Sequence, residues 1–254
     1  MIELNKIYNE NCLDTMARMP DGFVDLVVTS PPYNANIRIR NFNYVKKTKH
    51  DRFGMKYQEF DDAMMPDEYF EFHSKVIREC LRVCSGYVFW NIQMLSGNKR
   101  ALFRLIGEFH DNLKEVLIWD KITAEPAISD GVMNSQFEFI LVLCNDEKEA
   151  MVREFAKCNF KRGTISNVFR YGKNTKNKFP DINGAAFPVN LAGKIVSNFT
   201  NEGDVVYDPF MGTGTTAIVS HKLKRQYIGS EITKSCALVS DKRLQPHLAQ
   251  FQIF

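Results

Sequence analysis

Along the chain, short compact apolar runs alternate with longer stretches whose apolar residues recur every three or four positions. The run Val24-Asp25-Leu26-Val27-Val28 is rich in β-branched residues and is stopped by Ser30-Pro31-Pro32, which predicts a buried strand ending at Thr29. Further strands are expected at Lys6–Asn9, Tyr87–Asn91, Glu115–Trp119, Phe137–Cys144, Asp204–Tyr207 and Gln226–Gly229. Pro66-Asp67-Glu68 opens a helix whose Tyr69, Phe72, Val76, Ile77, Cys80, Leu81 and Cys84 lie on one face. Other helices are expected at Cys12–Met19, Lys99–Phe109, Pro188–Phe199, Thr213–Lys222 and Thr233–Leu244. Strands alternating with helices of ~10–15 residues predict an α/β fold, a mostly parallel sheet with helices on both faces. Residues 34–65 have no clear period and read as a long loop, and residues 145–183 carry a basic segment of undefined structure. Without repeats or a Gly/Ser-rich linker, the 254 residues read as a single domain with insertions near 35–65 and 145–183.

Composition changes this picture little, but the distribution of charge changes it more. Hydrophobic residues at 44% and charged residues at 25% are globular values that exclude a disordered or coiled-coil chain. The formal net charge of +3 names no partner. Residues 35–56, however, hold Arg38, Arg40, Lys46, Lys47, Lys49, Arg52 and Lys56 against Asp51 alone. Residues 153–178 hold eight basic residues, Lys173, Lys176 and Lys178 among them, against Glu154 alone. Aromatic residues are interleaved with both stretches (Phe42, Tyr44, Phe53 and Tyr57; Phe155, Phe160, Phe169 and Tyr171). The rest of the chain is acidic, so the two stretches have the footprint of a polyanion-binding surface, with a solvated lysine-rich loop as the plain alternative.

The longest apolar runs, such as Phe139–Cys144, fall far short of a membrane span, and no basic-then-apolar leader opens the sequence. A soluble intracellular protein with no membrane partner is expected. The six cysteines form no C-x-x-C pair and the five histidines are scattered, so reduced, mostly buried thiols and no metal site are expected.

Two motifs carry candidate chemistry. Asp208-Pro209-Phe210-Met211-Gly212-Thr213-Gly214-Thr215-Thr216 follows an expected strand and opens a helix. Gly212 and Gly214 there permit a tight turn whose N–H groups can approach a ligand. The turn is neither a phosphate loop nor a full G-x-G-x-x-G fingerprint. About twenty residues on, Glu231 ends the next strand, placed to accept from the two ribose hydroxyls of a nucleoside. The second motif is Thr29-Ser30-Pro31-Pro32-Tyr33-Asn34, at the carboxyl end of the strand from Val24. Its prolines remove N–H donors and leave carbonyls to accept from an amino group, while Tyr33 offers a flat face for an extruded base.

These residues resemble the β group of DNA amino-methyltransferases, enzymes that use S-adenosylmethionine to methylate an exocyclic base nitrogen. Ser30–Tyr33 is similar to the group's catalytic (D/N/S)-P-P-Y, and Asp208–Thr216 matches its D-P-F-x-G-x-G-T-T. Ala186–Leu191, Glu115–Lys121 and Phe137–Cys144 resemble further segments of the group, so the likeness covers nearly the whole chain outside 35–65 and 145–183. The resemblance implies a Rossmann-like methyltransferase fold with a seven-stranded sheet in circularly permuted order, because S-P-P-Y precedes the glycine motif. It further implies that Asp208, Phe210, Gly212, Gly214 and Thr215 hold the methionine part of the cofactor and Glu231 the ribose. Asn11 and Cys12 would lie along the adenine, with Asn11 standing where the group usually has Asp.

The same resemblance implies that Ser30 Oγ and the Pro31 carbonyl accept from the target amino group while Pro32 shapes the turn and Tyr33 stacks on the flipped base. No cysteine acts as a nucleophile, and no Pro-Cys dipeptide of the ring-carbon methylating kind exists in the chain. Ser30 tilts the expected target toward cytosine N4 rather than adenine N6, because adenine enzymes mostly place Asp there. The expected partner is double-stranded DNA, contacted by Lys46, Lys47, Lys49, Lys173, Lys176 and Lys178; the resemblance also leaves open a homodimer and, as against an orphan or phage-borne enzyme, a cognate restriction endonuclease. The expected setting is the cytoplasm of a bacterial, archaeal or phage-infected cell. Two rival readings stay open: a DNA-binding module that keeps the cofactor fold without turnover, and methylation of RNA or a protein amide, which the motif order disfavours.

Overall fold

The computed structural model describes residues 2–47, 62–127, 129–172 and 187–249. In chain order the elements are β1 (Lys6–Tyr8), α1 (Cys12–Met16), β2 (Val24–Thr29), β3 (Ile37–Arg40), β4 (Asn43–Lys46), α2 (Pro66–Val83), β5 (Cys84–Ile92), α3 (Lys99–Glu108) and β6 (Leu113–Glu125). They continue with β7 (Ser135–Cys144), α4 (Glu147–Met151), β8 (Val168–Arg170), α5 (Val189–Phe199), β9 (Val205–Asp208), α6 (Thr215–Lys222), β10 (Gln226–Ser230) and α7 (Lys234–Ala249). Helix α2 shows why such segments start where they do. Pro66 occupies its first turn, and the Glu68 carboxylate accepts from the Met65 N–H at 2.9 Å.

The main sheet has the order β1-β10-β9-β2-β5-β7-β6-β8. Every neighbouring pair is parallel except those involving β7, which runs antiparallel to both β5 and β6. All seven expected strands are present, and the short β8 adds an eighth at the edge beside β6. The first strand pairs with the last, Lys6 opposite Ile228 and Tyr8 opposite Ser230.

Alternation along each strand sorts the core into two layers. Val24, Val27, Val88, Trp90, Ile92, Leu141 and Leu143 pack with α1, α2 and α3. Leu26, Val28, Tyr87, Phe89, Leu117, Trp119, Ile140 and Val142 pack with α5, Ala150 and Val219. Burying one such side chain contributes about 1.5–3 kcal/mol, so a one-residue slip, which would exchange the two faces, is strongly disfavoured. Four cysteines (Cys12, Cys80, Cys84 and Cys144) are buried free thiols, and Cys158 and Cys236 are half-buried. Among the described residues no helix is long and apolar enough to cross a membrane.

One stretch departs from expectation. Residues 34–65 read as an unstructured loop, yet they contain an antiparallel hairpin, β3 with β4, which forms its own two-stranded sheet. Each strand has only four residues, half of them polar, and the turn Asn41-Phe42 lacks the glycine that usually marks a two-residue connection. The periodic signal is therefore too short to see. Helix ends also shift: α1 stops at Met16 rather than Met19, and α7 runs through Pro246 to Ala249 rather than ending at Leu244.

Candidate active site

The parallel pairing of β2 with β9 sets Leu26 beside Val206 and Val27 beside Tyr207, so the carboxyl ends of the two strands emerge together. The two motifs, almost 180 residues apart in sequence, are thereby joined directly: Thr29 Oγ1 donates to Asp208 Oδ1 at 2.7 Å. Asp208 also accepts from Thr216 Oγ1 at 2.7 Å and from the Phe210 N–H at 3.0 Å. Its carboxylate is buried and accepts these three hydrogen bonds, which brace the glycine turn from below. Burial pushes its pKa up to about 6 against the pull of these three donors.

Beyond Asp208 the chain turns through Gly212 (φ +54°) and Gly214 (φ +83°), both in the left-handed region. At Gly214 a Cβ would stand 2.7 Å from Ser240 Cβ, so this position admits only glycine beside α7. The Gly212 N–H donates to Glu231 Oε2 at 2.8 Å, and Glu231 Oε1 accepts from the Thr233 N–H at 2.7 Å. Glu231 is mostly buried, closing the glycine turn onto the end of β10. Its N–H donates to the Tyr8 carbonyl, and Asn9 donates to its carbonyl, which ties the end of β1 to the same edge. Asn11 accepts from the Leu13 N–H at 3.0 Å as the cap of α1, and the buried Cys12 follows with its thiol pushed up to about 12 by desolvation. Asn11, Cys12, Asp208, Phe210, Gly212, Gly214, Thr215 and Glu231 thus gather along the carboxyl ends of β1, β10 and β9. This is where ligands bind in open α/β sheets.

The residues present fit the nucleoside cofactor that the sequence motif implies. A Cβ built on Gly212 would meet nothing nearer than the Phe210 carbonyl at 3.8 Å, which leaves the turn open to a close ligand. Thr215 Oγ1 is buried with no hydrogen-bond partner among the described residues, a polar group available to a ligand beside the turn.

At the end of β2, Tyr33 and Asn34 are held from several sides. Tyr69 donates its hydroxyl to the Pro32 carbonyl at 2.7 Å, and Asn98 donates to the Tyr33 carbonyl at 2.9 Å. Asn34, at φ +58°, donates to the Met64 and Gly97 carbonyls, and its own N–H donates to Asp62 at 2.7 Å. Among the described residues no donor reaches the Pro31 carbonyl, which remains an acceptor.

Ser30 Oγ lies 2.6 Å from the Tyr33 hydroxyl, which donates to Glu138 Oε2 at 2.8 Å. Because the Tyr33 proton is given to Glu138, the Ser30 proton goes to Tyr33, and lone pairs on Ser30 Oγ are left for an incoming donor. Asn91 Nδ2 donates to Glu138 Oε2 at 2.8 Å and also to Tyr33 Oη, and it lies 3.4 Å from Ser30 Oγ. Lys121 Nζ pairs with Glu138 Oε1 at 3.3 Å, both side chains being almost wholly buried.

Sequence reasoning assigned no role to Asn91, Lys121 or Glu138, although a signal was there. Continuing the buried stripe of the α5-facing layer by one two-residue step leads from Leu26 and Val28 to Ser30, and from Phe89 to Asn91. The same step leads from Leu117 and Trp119 to Lys121 and, on the reversed β7, from Val142 and Ile140 to Glu138. One row of side chains therefore turns from apolar to polar where the strands leave the core. Of the six lysines expected at DNA, Lys46 is exposed and Lys47 half-buried at the end of the hairpin, whereas Lys49, Lys173, Lys176 and Lys178 lie outside the described residues.

With this geometry in place, comparison with known proteins identifies the family. The model of the N6/N4 DNA methylase family matches residues 24–241, and the chain belongs to that family. Among curated relatives, the type II methyltransferase M.BglII of Bacillus subtilis is 28% identical over 91% of this chain and 66% of its own length. The chain thus spans slightly under two thirds of that relative. Among solved structures, the cytosine-N4-specific PvuII DNA methyltransferase superposes with a TM-score of 0.71 at 16% identity, covering 94% of this chain and 85% of the other. The M1.HpyAVI–SAM complex superposes with a TM-score of 0.59 at 20% identity over 94% and 99%. At these identities the structural likeness establishes the shared methyltransferase fold.

Proposed function

We propose that this chain is a DNA amino-methyltransferase that transfers a methyl group from S-adenosylmethionine to an exocyclic nitrogen of a base extruded from duplex DNA. The observation that carries the reading is the Ser30–Tyr33–Glu138 chain, set directly beside the glycine turn by the Thr29–Asp208 hydrogen bond. When bound, S-adenosylmethionine supplies an electrophilic methyl group. Asp208, Phe210, Gly212, Gly214 and Thr215 would hold its methionine part, Glu231 its ribose, and Asn11 and Cys12 its adenine edge. Its presence in the M1.HpyAVI complex supports that choice.

The chain's own residues act on the acceptor. An exocyclic amino nitrogen is a poor nucleophile because its lone pair is delocalised into the ring. Ser30 Oγ and the Pro31 carbonyl accept its two hydrogens and draw it toward tetrahedral geometry, which frees the nitrogen lone pair for attack. As the new N–C bond forms, one amino proton must leave. It passes to Ser30 Oγ while the Ser30 proton moves to Tyr33 and the Tyr33 proton to the Glu138 carboxylate, so charge and protons balance. Lys121 and Asn91 hold Glu138 in place, and the ring of Tyr33 stacks on the base. The Ser30 side chain, a neutral acceptor, favours cytosine N4 as the target over adenine N6. The basic stretches, Lys46 and Lys47 included, track the phosphates.

Tritium transfer from labelled S-adenosylmethionine to duplex DNA tests the reading. Incorporation that is lost in Ser30→Ala is expected. Cofactor binding without transfer to DNA would favour an inactive DNA-binding subunit, and transfer to RNA or protein alone would overturn the substrate.

A further inference from the structure

The hairpin formed by β3 and β4 follows the S-P-P-Y motif and carries the first cations of the basic stretch 35–56, yet its tip, Asn41-Phe42, has no part in methyl transfer or in phosphate contact. Its exposure rises steadily outward: Ile37 is 4% exposed, Ile39 53%, and Phe42 at the tip 100%. Asn41 and Phe42 form the two-residue turn with φ of +48° and +62°. A turn of this kind takes Asn-Gly most readily, so Phe42 holds a bulky side chain in a backbone region that disfavours it. A fully solvated phenyl ring on strained backbone gains nothing from the fold, which points to a contact outside it.

The base of the hairpin, by contrast, is firmly seated. The Lys47 N–H donates to the Asn36 carbonyl at 2.7 Å, and the Arg100 guanidinium of α3 lies 5.7 Å over the Tyr44 ring. A Cβ on Gly97 would come within 2.4 Å of the Asn34 carbonyl and 3.0 Å of Ile37 Cβ, so the lead-in to α3 packs backbone-close against the root. Asn34 is at once the last residue of the catalytic motif and the first anchor of the hairpin. The register sets Arg38 and Arg40 on one face and Tyr44 opposite Ile39 on the other. Residues 35–47 contain four cations and no carboxylate. The strands give a reach of roughly 10–13 Å, against a groove depth of about 8 Å in duplex DNA.

We propose that the hairpin of residues 37–46 enters a groove of duplex DNA next to the target base, and that Phe42 is a wedge that stacks into the base step opened by extrusion. Cations along the arms neutralise the flanking phosphates while the phenyl ring replaces the stacking lost by the departing base. The inference rests on the reading of the chain as a DNA methyltransferase and adds the element that promotes base extrusion.

Phe42→Gly tests it, because glycine suits the turn better and removes only the wedge. The substrates are a short duplex carrying the site mapped by modified-base sequencing, and the same duplex with the target base mispaired. Phe42→Gly is expected to keep its melting temperature and its calorimetric binding of S-adenosylmethionine. Its kcat/KM on the matched duplex should fall about tenfold or more and return to within about threefold of wild type on the mispaired duplex, where extrusion is already easier. Phe42→Trp, which keeps a stacking face, should retain activity on both. No loss on the matched duplex, or an equal loss on both duplexes, would overturn the wedge. A wild-type protein that methylates neither duplex would overturn the methyltransferase reading and the wedge with it.

Discussion

Trp90 and Asn91 are neighbours on β5, and each leads to a buried ionisable group, but the two surroundings are opposites. Trp90 faces α2, where His73 is sealed among Tyr69 (centroids 3.9 Å apart), Phe72, Trp90 and Phe210. Neither nitrogen of His73, nor Trp90 Nε1, has a hydrogen-bond partner among the described residues. Burial alone drives the His73 pKa down to about 3, so the ring is neutral. Asn91 faces the other layer, where Glu138 sits equally deep yet accepts from Tyr33 and Asn91 and pairs with Lys121. His73, buried without partners, gives up its charge, whereas Glu138 is met by two donors and a cation. The aromatic side reaches the glycine turn through Phe210, and the polar side meets the end of the S-P-P-Y motif through Tyr33.

The largest expected effect lies on the polar side. Glu138→Gln should lower kcat by about 10²–10⁴-fold, the range for loss of a general base, with S-adenosylmethionine binding intact by calorimetry. It should also destabilise the fold by about 3–5 kcal/mol, because it leaves Lys121 buried and unpaired. Combining it with Lys121→Met should restore the denaturation midpoint without restoring turnover. If the double variant recovered activity, Glu138 would be a structural partner of Lys121 and nothing more.

A smaller effect should appear on the aromatic side as a pH dependence. His73 titrates near 3 in the fold and near 6.5 when unfolded, so its contribution to stability is complete above pH 6.5 and is lost as pH falls toward 3. His73→Phe should therefore flatten the acid side of the melting-temperature profile, a displacement of this size being worth a few kcal/mol. An unchanged profile would mean that the ring finds a partner in solution.

The smallest effect has the opposite sign. The Asp208 carboxyl is raised from 3.8 to about 6, so its contribution to stability is present below pH 4 and lost as pH rises to 6. Asp208→Asn should remove that opposing slope and make the loss of stability on acidification steeper than in wild type. Thermal melts between pH 4 and pH 7 would read both variants together.

Much of the fold was legible because burial imposes period: the compact run from Val24 and the apolar face of α2 need no partner to be recognised. Both motifs were equally visible, since proline pairs and glycine turns constrain the backbone locally. The glycine turn lay where expected, although Asp208 and Glu231 are bound into the turn's own hydrogen bonds, which the sequence did not reveal. The antiparallel course of β7 and the hairpin at 37–46 were not legible. Strand direction depends on a connection rather than a pattern, and four-residue strands are too short to show one. Lys121 and Glu138 fell inside the family-like segments 115–121 and 137–144, yet neither they nor Asn91 received a role, because each is an ordinary polar residue at a strand end and only the register of four strands brings them together.

Nucleoside mass spectrometry of duplex DNA incubated with the protein and S-adenosylmethionine tests the central claim most directly. The predicted product is N4-methylcytosine, formed by wild type and absent with Ser30→Ala. N6-methyladenine in its place would overturn the choice of base while keeping the chemistry of the Ser30 chain. Recovery of 5-methylcytosine, which requires a cysteine nucleophile that the Ser30–Tyr33 motif lacks, would contradict the account as a whole.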